Sequence, residues 1–171
     1  MNHRKRQSDM ESRISTWLWF GSQAEEAARF YASVFRKAEL GAIARAPGGG
    51  EPHTKEGQVL TAEVVIDGHR IVCLNGGAHP GATPNDSVSL QILCADQAEV
   101  DAYWDGLCAD GGRAVQCGWV KDKYGFARQI VPEALPRLMQ GPDRDAARRV
   151  TAAMMGMVKL DVAALEAAAK G

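Results

Sequence analysis

The chain lacks several features that would commit it to a class. Its four cysteines, Cys73, Cys94, Cys108 and Cys117, fall singly among 171 residues. With no CxxC pair and no histidine at finger spacing, neither a structural zinc nor a disulfide framework is expected, and a reducing, cytoplasmic setting is the natural reading. No apolar run approaches the roughly 18 residues that a membrane-spanning helix needs, and the basic residues near the N-terminus are not followed by the apolar stretch of an export signal, so no membrane partner is expected. Charge of one sign is missing as well: 20 Lys and Arg stand against 21 Asp and Glu, for a formal net charge of −1. That balance offers no general attraction to nucleic acid. A phosphate-cradling glycine loop must lead from a strand into a helix N-terminus, but the glycine cluster Gly48-Gly49-Gly50 lies between Pro47 and Pro52 and leads into a strand. This excludes a dinucleotide or adenosylmethionine site at that place.

What the chain does have is a hydrophobic content of 46%, enough for a core in one domain or two small ones. Two hairpins organise it. Leu60–Ile66 meets Asp67-Gly68 and continues as His69–Asn75; Gly118–Lys121 meets Asp122-Lys123-Tyr124-Gly125 and continues as Phe126–Val131. Upstream of each lie a strand and an amphipathic helix. The helix from Ala24 and the helix from Ala98 both carry an aromatic pair, Phe30-Tyr31 and Tyr103-Trp104. The pattern is a tandem repeat of strand, helix and three strands.

In order, residues 1–12 are polar and without periodicity, a disordered arm. The first module is expected over 13–75, a Gly- and Pro-rich linker over 76–86, the second module over 87–132 and a helical tail over 133–170. Arg13–Phe20 should be the first strand, with Ser22 as N-cap and Glu25 as its capping-box partner on the following helix, and that helix should cover Trp17 and Trp19. Ser87–Ala95 alternates: Ser87, Ser89, Gln91 and Leu93 lie on one face and Val88, Leu90, Ile92 and Cys94 on the other, so the apolar face packs on a helix. Asp96 caps the second helix with Glu99 in the box position. In the tail, Asp143 opens a helix with Ala146, Val150, Met154 and Met157 at helical spacing, and Asp161 caps the last one. The methionines are expected to be packing or interface residues.

Several of these stretches together resemble a known family. The AEEAARFYASVF helix, LNGG at 74–77, the CGWVKDKYGFARQIVP hairpin and the AMMGMVKLDVAALEAA tail look like the PhnB-like branch of the glyoxalase/bleomycin-resistance superfamily, also called vicinal oxygen chelate; its members often carry a 3-demethylubiquinone methyltransferase label. The resemblance spans Ile14 to Ala168. It implies an α+β fold of two tandem βαβββ modules whose mixed sheets curl into a cup, with C-terminal helices, and commonly a homodimer. It also implies metal chelation of two neighbouring substrate oxygens. Carried over by position, the ligands would fall on Thr16, Ser89 and Gln129, with only Cys73 and Asn75 near the fourth place. A hard divalent cation prefers carboxylate or imidazole donors, so no metal cofactor is expected, a divalent metal remaining the less favoured alternative. His3, His53, His69 and His79 are not at the required positions.

The expected site is then a set of uncharged polar groups, Thr16, Asn75, Ser89, Gln91 and Gln129, roofed by Trp119 or Phe126. Three functions follow: a metal-free binder of a small organic molecule; a metal-dependent lyase, isomerase or dioxygenase whose ligands lie elsewhere; or a dimeric scaffold without catalysis.

Overall fold

The computed structural model describes residues 12–50 and 52–171. Apart from Ser12, the expected N-terminal arm lies outside the described residues. The fold is α+β, and the described residues form two compact units that divide between Thr83 and Pro84, inside the expected linker. Each unit holds one βαβββ module.

The first unit runs β1 (Thr16–Phe20), α1 (Ala24–Val34), β2 (Ala38–Arg45), β3 (Val59–Ile66) and β4 (His69–Asn75). The sheet order is β1-β4-β3-β2, with β1 parallel to β4 and the other pairs antiparallel. The β3–β4 turn takes positive φ at both central residues, 47° at Asp67 and 82° at Gly68, the backbone a two-residue hairpin needs.

Which face α1 covers is fixed by one side chain. Asn75 Oδ1 accepts the backbone N–H of Ala24 at 2.8 Å, so the start of α1 is held by a strand residue. The expected Ser22–Glu25 capping box does not form: Gln23 occupies the N-cap without a side-chain bond, and Glu25 instead pairs with Arg29 at 2.7 Å. Because Phe20 is registered with Asn75 and Leu18 with Cys73, alternation puts Leu18, Phe20, Ile71 and Cys73 on the helix side. All four are buried, as are Ala24, Ala27, Ala28 and Tyr31 of the helix. Trp17 and Trp19 fall on the opposite face and are 58% and 38% exposed, so the expectation that α1 covers them is overturned.

The second unit repeats the plan with β5 (Ser89–Cys94), α2 (Gln97–Cys108), β6 (Arg113–Ala114), β7 (Trp119–Lys121) and β8 (Ala127–Pro132), in the order β5-β8-β7-β6. Here α2 is capped locally: Asp96 Oδ1 accepts the Glu99 N–H at 2.9 Å and Glu99 Oε2 accepts the Ala95 N–H at 2.9 Å. Cys94, Ile130 and Val120 are fully buried on the side where Val100, Tyr103, Trp104 and Leu107 of α2 pack. Val88 precedes the strand and is 74% exposed, so it does not belong to the packed face.

Three helices follow: α3 (Ala134–Met139), α4 (Arg144–Met155) and α5 (Val162–Lys170). Asp143 and Asp161 cap α4 and α5 as expected. Their core is Val131, Leu135, Val150, Leu160 and Leu165, with Met154 and Met157 packed against it. The buried line of α4 runs through Ala147 and Val150, one residue from the expected Ala146. Among the described residues no helix is long and apolar enough to cross a membrane.

Candidate functional site

On the second sheet, the face opposite α2 gathers four of the expected site residues. Gln91 on β5 is registered with Gln129 on β8, and Gln129 with Trp119 on β7, so three side chains form one line across three strands. Registered neighbours share a face. Gln129 Nε2 donates to Ser89 Oγ at 2.8 Å, which draws the fourth residue into the group. Gln91 is exposed; Ser89, Trp119 and Gln129 are half-buried. Ala127 and Lys121 lie one step along the same face, and the Lys121 ammonium is occupied by Asp86 at 2.7 Å. Arg113 on β6 is registered with Lys121 and shares this face, as does the exposed Leu93 two residues beyond Gln91, so the line itself is polar and uncharged while its surroundings are mixed.

The other expected residues sit elsewhere. Asn75 faces α1, and its amide is used within the fold: Oδ1 takes the Ala24 N–H and Nδ2 donates to the Val59 carbonyl at 2.9 Å. Thr16 lies on the same helix-side face, where its Oγ1 is 2.9 Å from His69 Nε2. His69 is the first residue of β4, as the hairpin predicts, and the parallel pairing of β1 with β4 brings it to Thr16, a neighbour that the sequence pattern does not announce. Phe126 has the Arg128 guanidinium 5.7 Å from its ring centroid.

Counting back from the last registered pair of each module, the line equivalent to Gln91–Gln129–Trp119 in the first sheet is Trp17–Val72–Glu63. Val72 is buried and Glu63 is paired with Arg70 at 3.7 Å, so that line offers no unengaged polar group. The LNGG stretch proves architectural. Trp19 Nε1 donates to the Gly77 carbonyl at 2.9 Å, and its indole lies so close to Gly76 that a Cβ there would be 2.1 Å from Cζ2. At Gly77, with φ of 75°, a Cβ would meet His53 at 2.4 Å, while His79 stacks obliquely on Trp19 at 5.8 Å.

Titration adds little chemistry. Burial, with Glu99 and Asp96 nearby, pushes the Cys94 thiol up to about 12, which makes it inert. The metal-chelating set that the resemblance implies fits poorly here. Asn75 is consumed by α1 and β3, Cys73 is buried, and Thr16, Ser89 and Gln129 bring neither charge nor imidazole. Among the described residues, no group of three or more His, Cys, Asp or Glu is placed to hold a metal ion.

A family model described as 3-demethylubiquinone-9 3-methyltransferase matches residues 12–131. The chain belongs to that family. The matched span covers both modules and ends at Val131. The helical tail, part of the resemblance read from sequence, therefore lies outside the match. A PhnB protein from Bacillus cereus bearing the methyltransferase name is 29% identical over 70% of this chain and 98% of its own, with a TM-score of 0.61. A Pseudomonas aeruginosa protein, 19% identical over 70% of this chain and 96% of its own, shares the fold at a TM-score of 0.57. No curated protein matches.

Proposed function

We propose that this chain binds a small, neutral organic molecule on the open face of its second sheet, without a metal ion. The observation that supports this is the line of Gln91, Gln129 and Trp119: amides and an aromatic ring gathered beside Ser89, with no charged side chain in the line itself. Such groups orient a hydrogen-bonding ligand but hold a divalent cation weakly. The family's methyltransferase name is not carried over. A doubly wound adenosylmethionine site needs a glycine-rich turn from strand into helix, and among the described residues the three strand-to-α-helix connections are Gly21-Ser22-Gln23, Ala95-Asp96 and Glu133.

The working form is a homodimer in the cytoplasm. Its support is the exposure of Ile14, Trp17 and Val88 beside strands that end their sheets, since unpaired edges are usually covered. Native mass spectrometry with elemental analysis tests the whole reading. A dimer carrying a metal-free organic adduct, with a melting temperature indifferent to chelator, is expected. Stoichiometric metal, or a chelator-induced loss of stability reversed by zinc, nickel or manganese, would instead make the chain a metal-dependent lyase, isomerase or dioxygenase. A metal-free dimer that retains no organic molecule would favour a scaffold.

A further inference from the structure

The hydrogen-bonding state of the open face narrows the ligand. Gln129 donates through Nε2 to Ser89, which fixes the amide and leaves Oε1 as an oriented acceptor. Among the described residues neither the Gln91 amide nor the Trp119 indole N–H has a side-chain or backbone partner. A primary amide presents one donor and one acceptor side by side in a plane. Its complement is an edge with the same pair reversed, as in a lactam or in the base edges that glutamine reads by paired bonds. Beside the amides, Trp119 offers a flat π surface.

Charge and size refine this. The Lys121 ammonium is held by Asp86 and Ala127 is apolar, and the further cation of this face, Arg113, is registered with Lys121 on the edge strand three strands from Gln91, so no cation stands in the Gln91–Gln129–Trp119 line to compensate an anionic ligand there. Adjacent strands lie about 4.8 Å apart, which puts the backbones of Gln91 and Trp119 about 10 Å from one another. That gap suits one or two fused rings lying along the line. We propose that the face binds a neutral, planar nitrogen heterocycle with a lactam edge, the edge read by Gln91 and Gln129 and the ring stacked on Trp119. This rests on the reading of the open face as the binding surface.

The probes are quinazolin-4(3H)-one, which has the edge, and its 3-methyl derivative, in which the donor is blocked, titrated by calorimetry against the full chain. Quinazolinone should bind, and 3-methylation should weaken it about tenfold or more. Gln91→Leu should weaken quinazolinone to a similar degree and leave the 3-methyl compound unchanged; Trp119→Ala should weaken both. If both compounds bind wild type equally and Gln91→Leu changes neither, while Trp119→Ala weakens both, the open face is a binding surface but the lactam-edge class is overturned. If both bind and neither Trp119→Ala nor Gln129→Leu alters affinity, the site is elsewhere and the open-face reading fails. Absence of quinazolinone binding to wild type overturns the class. Unchanged circular dichroism and melting temperature exclude misfolding as the cause for Gln91→Leu, whose side chain is exposed.

Discussion

Arg128 Nη2 lies 3.0 Å from Asp122 Oδ2, and the two side chains are 4% and 0% exposed. By register Arg128 occupies the place that Ile71 holds in the first module, so a cation stands where the repeat has an aliphatic core residue. Asp122 also accepts the Tyr124 and Phe126 N–H groups at 3.0 Å, which closes the β7–β8 turn around the pair. Removing one member leaves a buried charge uncompensated. Asp122→Ala should cost about 3–5 kcal/mol in denaturant unfolding, and combining it with Arg128→Met should recover much of that loss. Equal stability of the single and double variants would refute the account.

The C-terminal tail is fastened to α2 by polar contacts, and their pH dependence can be worked out. Lys159 Nζ is 2.7 Å from Asp101 Oδ1, and Gln97 bridges to the Leu160 carbonyl and the Val162 N–H. The hydrogen bond from Lys159 holds the Asp101 carboxyl below 3.8, and its partner's ammonium is raised above 10.5. A depressed carboxyl stabilises fully above 3.8 and loses that contribution as pH falls through its folded value; a raised ammonium stabilises below 10.5 and loses it at higher pH. Asp101→Asn should therefore lower the melting temperature modestly at pH 7 and not at all once the pH is well below the carboxyl's folded value. A difference that persisted undiminished in acid would contradict this linkage.

Thiol accessibility should separate the cysteines. Cys73 and Cys94 are buried, and burial lifts the Cys94 thiol to about 12. At pH 8 the folded protein should leave both unmodified by a thiol-specific reagent, while denaturant exposes all four. Rapid native labelling of Cys94, mapped by peptide mass spectrometry, would show that the α2 face opens readily.

Gly76 should be intolerant of any side chain. A methyl there would meet the Trp19 indole far inside contact distance, so Gly76→Ala must displace the ring and break its bond to the Gly77 carbonyl. A loss of about 1–3 kcal/mol is expected, together with a red shift of tryptophan emission. An unshifted spectrum at wild-type stability would mean the linker accommodates the change.

The second module was legible because its signals are local. Asp96 and Glu99 sit beside the helix they cap, and the six strand residues Ser89–Cys94 alternate strongly enough to assign both faces. The first module's elements and its Asp67-Gly68 turn were legible as well, but which face of β1 meets α1 was not, because the deciding contact is distant. β1 is five residues of mixed large side chains, and alternation shows which residues share a face without showing which face meets the helix. That choice belongs to Asn75, whose tie to Ala24 no nearby pattern announces. His69 was missed for the same reason: its neighbour Thr16 comes from a parallel strand pairing 53 positions away in sequence.

The contrast between the two helix starts bears on the order of events in folding. Asp96 serves a helix three residues on, whereas the start of α1 waits for a side chain 51 positions downstream, so α1 gains its cap only after β4 has docked. Closing that longer loop is entropically dearer. The second module should thus supply the nucleus and the first should condense onto its own sheet later. In stopped-flow experiments Asp96→Ala should mainly slow refolding, and Asn75→Ala should mainly hasten unfolding. The opposite assignment of rates would place the nucleus in the first module.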